Sequence, residues 1–424
     1  MTFSIYSLGC KVNIYESEYV CDLMLKNGFT LKNFDEECDI YIINTCSVTN
    51  ESDKKSRKII NKAKRTNPSA IILVMGCYSQ SSYNEIDADI IIGNKDKSQV
   101  VNLINEYIKN KEKIVRIYDL KKQKFESMEI TNFKNHTRAF VKIQDGCNNF
   151  CTYCIIPYVR GDIRSKKEIE VVNEVTTLVK NGYKEIVLTG IHTGKYGRDI
   201  NSSLEHLLNE LVKIPNIYRI RLSSIEINEI TDGIIKLIKE NKVMAKHLHI
   251  PLQSGSDKIL SLMGRRYDLN FFKNKVKEIR DNIPDISITT DLILGFPSET
   301  EEDYQETLNT LNEIKFTKIH TFPYSVRKGT KAALMDNQVK EEIKKQRVKE
   351  VIKLSNFYEE VFYNSYIGKT VEVLTEEKDN YTLSHTSNYL PIIINEKIEN
   401  NKIINVKINK LEDNKLIGSV VNDK

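Results

Sequence analysis

Residues 137–154, "TRAFVKIQDGCNNFCTYC", set the reading of this chain. The first half is a β-branched and aromatic run of strand character. The second half places Cys147, Cys151 and Cys154 in a Cys-x3-Cys-x2-Cys loop. A strand that runs straight into such a loop puts the thiols at its C-terminal end, where α/β barrels keep their chemistry. The spacing suits a metal ion or an iron–sulfur cluster, yet structural zinc and four-iron sites take four protein ligands. No Cys or His follows within the next thirty residues. Either a distant histidine completes a zinc site, or one coordination position is meant to stay open.

Working outward, "KEIVLTG", "IYRIRLSS", "KHLHIPL", "ISITTDLIL" and "TKIHTFPYS" repeat the strand pattern at βα spacing. With the opening run they make six units where a closed barrel needs eight, so an open, partial barrel is expected over 137–336. Upstream, "FSIYSL", "DIYIIN", "AIILVM", "ADIIIG" and "KIVRIY" alternate with helical stretches, giving an α/β domain around a parallel sheet over 1–118. The polar segment 119–136 reads as a linker, 337–366 as one long amphipathic connecting helix, and 367–424 as a small β-barrel with Asn/Asp/Gly turns. The fold class is α/β.

Composition agrees with an ordinary globular protein: 424 residues, 40% apolar and 29% charged. No stretch has the length and apolarity of a membrane span, and the start lacks a basic patch followed by an apolar run, so a cytoplasmic protein is expected. Eight cysteines in such a chain point to metal ligation or catalysis rather than a disulfide framework. The net charge of +5 permits nucleic-acid binding without requiring it.

A second set of cysteines stands out. Cys10 in "IYSLGC", Cys46 in "YIINTC" and Cys77 in "LVMGC" each end a predicted parallel strand. Ligand crevices of open α/β sheets form along that edge, so three thiols remote in sequence can converge there. The bland alternative is three small buried hydrophobes. Cys21 and Cys38 read as plain core, and His249, alternating with apolar residues in "HLHIPLQ", as packing rather than a ligand.

With Tyr153 before its last cysteine, the loop resembles the signature of radical S-adenosylmethionine (SAM) enzymes, and "DGCNNFCTYCIIPYVRG" resembles their methylthiotransferase branch. "LGCKVN", "NTCSVT", "LTGIHTGKYG", "LSSIE", "HLHIPLQSGSDKILSLMGRRY", "TTDLILGFPSET" and "YSVRKGTKAA" extend the resemblance over essentially the whole chain. It implies an N-terminal methylthiotransferase domain, a partial radical-SAM barrel and a C-terminal TRAM domain, a small RNA-binding β-barrel.

It also implies two 4Fe-4S clusters. Cys147, Cys151 and Cys154 would hold one that leaves an iron for SAM, and Cys10, Cys46 and Cys77 one that presents sulfur. SAM would serve as radical source and methyl donor, the radical abstracting hydrogen from the adenine ring. The resemblance places SAM near Tyr153, Gly190, Ile191, Ser223, Ser224, Gln253 and Gly295. For Gly295 a turn beside Pro297, and for Ser223 a helix cap, are the plainer readings.

"LGCKVN" looks most like enzymes that modify N6-threonylcarbamoyladenosine at position 37 of ANN-decoding tRNAs. Enzymes acting on isopentenyladenosine or on a ribosomal protein are the alternatives, and a non-catalytic iron–sulfur sensor the rival from another class. The implied partners are tRNA, a reductase or flavodoxin/ferredoxin-type electron donor and a sulfur source. For RNA contact, the basic run Lys54, Lys55, Arg57, Lys58, Lys62, Lys64 and Arg65 competes with a merely solvated helix face. Arg160, Arg164, Arg265, Arg266 and Arg327 come from motif loops at the expected barrel mouth, and Tyr389 in "SHTSNYLP" is a candidate for base stacking.

Overall fold

The structure is a computed structural model describing residues 1–121, 123–133, 137–378 and 380–421. Lys122 and residues 134–136 of the expected linker, and 379 and 422–424 of the expected C-terminal barrel, lie outside the described residues.

The N-terminal sheet has six parallel strands, β1 (Thr2–Ser7), β2 (Thr30–Leu31), β3 (Ile40–Thr45), β4 (Ile71–Gly76), β5 (Ile90–Ile92) and β6 (Ile114–Arg116), in the order β2-β1-β3-β4-β5-β6. β3 and β4 are buried at every position, as central strands covered on both faces must be. Helices α1 (Lys11–Lys26), α2 (Asn50–Thr66), α3 (Cys77–Ser82) and α4 (Val100–Asn110) complete the layer. The two-residue β2 and the short α3 carry too little periodic pattern to be legible beforehand. The expected helix at 96–109 starts only at Val100, because Asp96 adopts φ +66 and a 3-10 turn intervenes.

The second unit has strands β7 (Ala139–Lys142), β10 (Glu185–Thr189), β11 (Arg219–Leu222), β12 (His247–His249), β13 (Ser287–Leu294) and β14 (Lys318–Pro323), all parallel. They form two three-stranded sheets joined by bridges Ile220↔Met244 and Ser224↔His249. The result is a six-stranded half-closed barrel, open between β7 and β14. A small antiparallel pair, β8 (Gln144–Asp145) with β9 (Arg164–Ser165), brackets the cysteine loop and the short helix α5 (Ile156–Arg160). Apolar residues of the barrel strands face the surrounding helices, as Ile220, Leu248 and Ile288 do. The alternate rows carry polar residues such as Glu185, Arg221, His249, Thr289 and Asp291 along with the apolar Phe140, Val187, Ile293 and Phe322.

The segment expected to be a polar linker is strapped down: Leu120, Met128, Ile130 and Phe133 are each at most 4% exposed. Three apolar side chains spaced two and three apart in a polar stretch suffice to dock it without any regular period. The long helix runs over Glu341–Asn364, starting four residues later than expected. Five strands, β15 (Thr370–Glu377), β16 (Thr382–Thr386), β17 (Pro391–Ile394), β18 (Ile403–Glu412) and β19 (Lys415–Val420), close a barrel in the order β15-β16-β17-β19-β18. Its loop 385–389 enters the N-terminal end of the larger barrel: the Arg219 and Arg221 guanidiniums donate to the carbonyls of His385, Thr386 and Ser387.

Candidate active site

Cys10, Cys46 and Cys77 lie where β1, β3 and β4 end. Gly9 has φ +100, and a Cβ there would sit 2.8 Å from Cys46 Cβ, so only glycine lets the Cys10 turn approach Cys46 this closely. Asn13, buried on α1, donates to the carbonyls of Leu8 (2.7 Å) and Thr45 (3.0 Å), tying the β1 and β3 ends together. Burial, then the neighbouring Cys77 and Cys10 thiols, push the Cys46 thiol up to about 11. Cys10 stands at the N-cap position of α1 and Cys77 opens α3, and burial pushes the Cys10 thiol up.

The loop triad is held differently. Thr152 N–H donates to the Met263 carbonyl and Cys154 N–H to that of Cys151. Gly146, at φ +73, passes so close to Asp162 that a Cβ would overlap its carbonyl. Burial, then the Cys151 thiol, push Cys154 up to about 12. Polar side chains address the sulfurs: Arg265 Nη1 lies 3.5 Å from Cys151 Sγ, and His192 Nδ1 3.3 Å from Cys147 Sγ. His192 Nε2 pairs with Glu229 (2.8 Å), which also binds Lys195 (3.0 Å). Burial pulls the imidazole down, but its bonds to Cys147 and Glu229 outweigh that and raise it to about 9.

α5 connects the triads. It begins just after Cys154, packs Ile155 and Val159 on Cys77, and ends at Arg160, whose Nε donates to Cys77 Sγ (3.3 Å). Asn94 Nδ2 approaches the same sulfur at 3.5 Å. The rest of the Arg160 guanidinium, fully buried, serves Glu16 (3.0 Å), Asp145 (3.1 Å) and Asn13 (2.7 Å). Lys142 pairs with both Glu16 and Asp145. Burial pushes Glu16 up, but Arg160, Lys142 and Lys97 overcome it and hold the carboxyl at about 2.

A mostly apolar cavity of about 220 Å³ adjoins the loop triad at Cys154 and reaches the segment that follows Cys46. Val48 and Thr49, just after Cys46, form one wall, Tyr153 and Cys154 another, and Gln253 and Asp291 reach it from the barrel. Gln253 holds φ +68, a strained conformation for a non-glycine residue that is typical of functional loops. Both donor sets are purely thiol, soft ligands suited to iron–sulfur clusters rather than to hard cations.

Of the residues expected to hold SAM, Tyr153 and Gln253 line this cavity. Gly190 and Ile191 follow β10, where a Cβ on Gly190 would press on Gln144 (3.0 Å). Ser223 is buried with its hydroxyl 3.0 Å from that of Thr193, and Ser224 is exposed. Gly295 is the turn of the plainer reading: φ is +71, its N–H binds Glu299 (2.9 Å), and Lys344 fills the space a Cβ would need.

The arginines expected to meet RNA are mostly committed elsewhere. Arg160 is internal, and Arg164 donates to the carbonyls of Leu120 and Arg160. Arg265 binds Glu226 besides Cys151. Arg327 clamps Ser47, Asn50 and Asp53 at 2.7–2.8 Å, locking the barrel onto the loop after Cys46. Arg266 alone of the five is exposed. Tyr389 is likewise no surface stacker: its hydroxyl accepts from Arg138 (2.8 Å) and Arg221 covers its ring at 4.4 Å. His249 binds Thr289 and Asp291, a packing role made through polar contacts. Motif arginines look identical in sequence whether they face solvent or a buried carboxylate, and only the fold separates the two. His192 and Glu229 were absent from the expectations; their only signal was position, the first inside "LTGIHTGKYG" and the second just past "LSSIE".

The Radical SAM superfamily matches residues 141–311, and residues 2–93 match a family described as "Uncharacterized protein family UPF0004". The chain is 41% identical, over 96% of its length and 94% of the relative's, to the "Threonylcarbamoyladenosine tRNA methylthiotransferase MtaB" of Bacillus subtilis. It belongs to the radical-SAM methylthiotransferase family. The protein of the same name from Aquifex aeolicus is 39% identical over 92% of this chain and 96% of its own. A "tRNA-2-methylthio-N(6)-dimethylallyladenosine synthase" from Acetivibrio thermocellus is 34% identical over 99% and 91%. Among solved structures, the methyltransferase TsrM of Kitasatospora setae, with cobalamin and a [4Fe-4S] cluster bound, superposes with a TM-score of 0.55 at 14% identity, covering 76% of this chain and 74% of that one. That likeness is one of fold. With family membership come SAM and an iron–sulfur cluster as cofactors. No helix among the described residues is long and apolar enough to cross a membrane.

Proposed function

We propose that this protein adds a methylthio group to C2 of N6-threonylcarbamoyladenosine at position 37 of tRNA, next to the anticodon. The observation that carries the reading is the pair of all-thiol triads, bridged by Arg160 and flanked by a cavity that Cys154 and the segment just after Cys46 line, supported by the names of the relatives quoted above. Cys147, Cys151 and Cys154 would hold one 4Fe-4S cluster, and Cys10, Cys46 and Cys77 a second. When bound, the clusters and SAM supply the radical, the sulfur and the methyl group.

The remaining work falls to the chain's own groups. Arg265 and His192 on one side, Arg160 and Asn94 on the other, set polar nitrogens 3.3–3.5 Å from cysteine sulfurs, outer partners that would orient the thiol ligands. Ile293, Phe322 and Tyr153 give the cavity apolar walls, and a dry site would protect a reactive intermediate from side reactions. Gln253 offers an amide at the wall for orienting an adenine edge. An electron donor of flavodoxin, ferredoxin or reductase type and a sulfur source complete the reaction from outside.

The test is anaerobic reconstitution with iron, sulfide and SAM, incubation with tRNA, and mass spectrometry of the digested nucleosides. The expected product is 2-methylthio-N6-threonylcarbamoyladenosine. A product found only on isopentenyladenosine, or only on protein, overturns the substrate assignment.

A further inference from the structure

The two triads belong to different units, and one stretch of chain just after β14 touches the cysteine-bearing segments of both. On the N-terminal side, Ser325 Oγ accepts from the Asn50 N–H at 3.1 Å. Arg327 spreads over three partners: Nη1 donates to Asn50 Oδ1 (2.8 Å), and Nη2 to Ser47 Oγ (2.8 Å) and Asp53 Oδ2 (2.7 Å). Ser47 follows Cys46 directly, and Val48 and Thr49, which line the cavity, lie between these partners. On the barrel side, the Ala332 N–H donates to the Thr152 carbonyl at 2.8 Å, between Cys151 and Cys154. The chain between these contacts is a closed turn, because the Thr330 N–H (3.1 Å) and hydroxyl (2.7 Å) both donate to the Arg327 carbonyl and Gly329 takes φ +88. Residues 327–332 therefore link the segment after Cys46 to the middle of the loop triad.

Arg160 also joins the units, but its contacts end on Cys77, α1 and Asp145. Among the described residues, the hydrogen bonds from 46–53 to the barrel all end on Ser325 or Arg327. As a stabilising device the clamp is a poor one. The Arg327 and Asp53 side chains are only 10% and 14% exposed, and Arg327 Nε and Asp53 Oδ1 have no partner among the described residues. A buried ion pair that leaves polar atoms unpaired adds little to stability. What a guanidinium fork does supply is direction: it holds several acceptors at once in a fixed geometry, as the single nitrogen of a lysine cannot.

We infer that Arg327 is a positioning residue that holds the segment after Cys46 in register with the loop triad, so that radical formation and sulfur delivery serve the same adenine carbon. The inference rests on the proposed function, in which the two triads act on one substrate atom. Arg327 touches no thiol of either triad among the described residues, so each site forms without it and only their register is lost. When sulfur is out of reach, SAM is still cleaved to methionine and 5′-deoxyadenosine, taking two electrons from dithionite and one proton from water. Lost register thus appears as 5′-deoxyadenosine in excess of methylthio product.

The test uses reconstituted full-length protein reduced with dithionite, anticodon stem-loop RNA carrying threonylcarbamoyladenosine, and mass spectrometry of both products. Arg327→Lys keeps the charge and loses the fork; Asp53→Asn keeps Arg327 and removes its ionic partner. Both should raise the ratio of 5′-deoxyadenosine to methylthio product, Arg327→Lys by at least about tenfold, since a 1 Å misplacement costs on the order of 10²-fold. Iron content and the KM for the RNA should not change. Independently of turnover, hydrogen exchange should quicken at the amides of residues 47–53 and not at those of 147–154. A wild-type ratio in both variants overturns the inference. So does a parallel fall of both products with lost iron in both variants, which marks a merely structural ion pair, or a raised KM at constant ratio, which marks a phosphate contact. If Arg327→Lys alone fails to load iron, Asp53→Asn decides by the same ratio. Wild type that thiolates only isopentenyladenosine overturns the proposed substrate, and the ratio is then read on that RNA. An unchanged ratio beside normal thiolation of threonylcarbamoyladenosine by wild type sinks the positioning role alone.

Discussion

Cys147, Cys151 and Cys154 come from one loop, whereas Cys10, Cys46 and Cys77 come from three strands and meet only when β1, β3 and β4 are in register. The loop triad owes its placement to local hydrogen bonds such as Thr152 to Met263 and to the tight passage at Gly146. The sheet triad owes its placement to Gly9, Asn13 and the whole parallel ladder beneath it. The first is therefore a motif and the second a consequence of folding, and the two answer differently to mutation.

The largest effect separates them outright. Cys151→Ala should abolish production of 5′-deoxyadenosine from SAM in reduced protein. Cys46→Ala should leave that cleavage within a few-fold of wild type and eliminate methylthio product in the nucleoside assay. Retained thiolation in Cys46→Ala would dissolve the comparison, since the sheet triad would then have no part in catalysis.

Next comes Arg160, which belongs to the loop side by sequence and to the sheet side by contact. Arg160→Met leaves Glu16 and Asp145 buried with less cation, and breaking a buried ionic network costs about 3–5 kcal/mol. Urea denaturation of the holoprotein measures it. The same network makes an acid prediction. Glu16 is held at about 2 against an ordinary 4.5, so it favours folding fully above about pH 4.5 and progressively less as pH falls toward 2. Arg160→Met should flatten that acid limb. An unchanged midpoint would mean the two units are not joined through this residue.

The third prediction concerns what surrounds the loop triad. Phe150, held at φ +50 within the loop, is 43% exposed and packs edge-on at 5.8 Å against Tyr158, itself 51% exposed on α5. Exposed aromatics on and just after the cysteine loop suit stacking with flanking bases, worth about 1–3 kcal/mol per base. Phe150→Ala and Tyr158→Ala should weaken tRNA binding by that amount, with little change in its salt dependence or in thermal stability. A change confined to stability would assign the pair to packing.

How much of this was legible follows the same division. The loop triad, the six barrel strands and the terminal β-barrel show in spacing and alternation, because each is set by residues close in sequence. The sheet triad was legible only because each cysteine happened to close a recognisable strand. The polar barrel interior was not legible: Arg219, Arg221, His247 and His249 alternate with apolar residues just as solvent-facing positions of an amphipathic strand would. Only closure of the sheet tells inward from outward. Tyr389 was misplaced for a related reason. An aromatic in a polar loop reads as exposed, and nothing local reveals that the loop is inserted beneath a neighbouring barrel.

The smallest effect lies on α2, beside the sheet triad, and turns on which of its cations are already neutralised. Lys62 pairs with Asp35, Lys64 with Asp87 and Lys54 with Glu51 (2.8 Å), and Arg57 donates to Tyr78, while Lys55, Lys58 and Arg65 are exposed without such partners among the described residues. Neutralising a paired surface lysine should shift stability by less than about 1 kcal/mol and leave RNA affinity unchanged. Replacing Lys55, Lys58 or Arg65 by Gln should instead lower the slope of log affinity against log salt by about one for each RNA phosphate that the removed cation had neutralised. Equal slopes for paired and unpaired positions would make α2 a solvated face and leave tRNA recognition to the aromatic side of the cavity. A difference would show that the sheet triad, like the loop triad, has its own RNA-facing surface, electrostatic where the other is stacked.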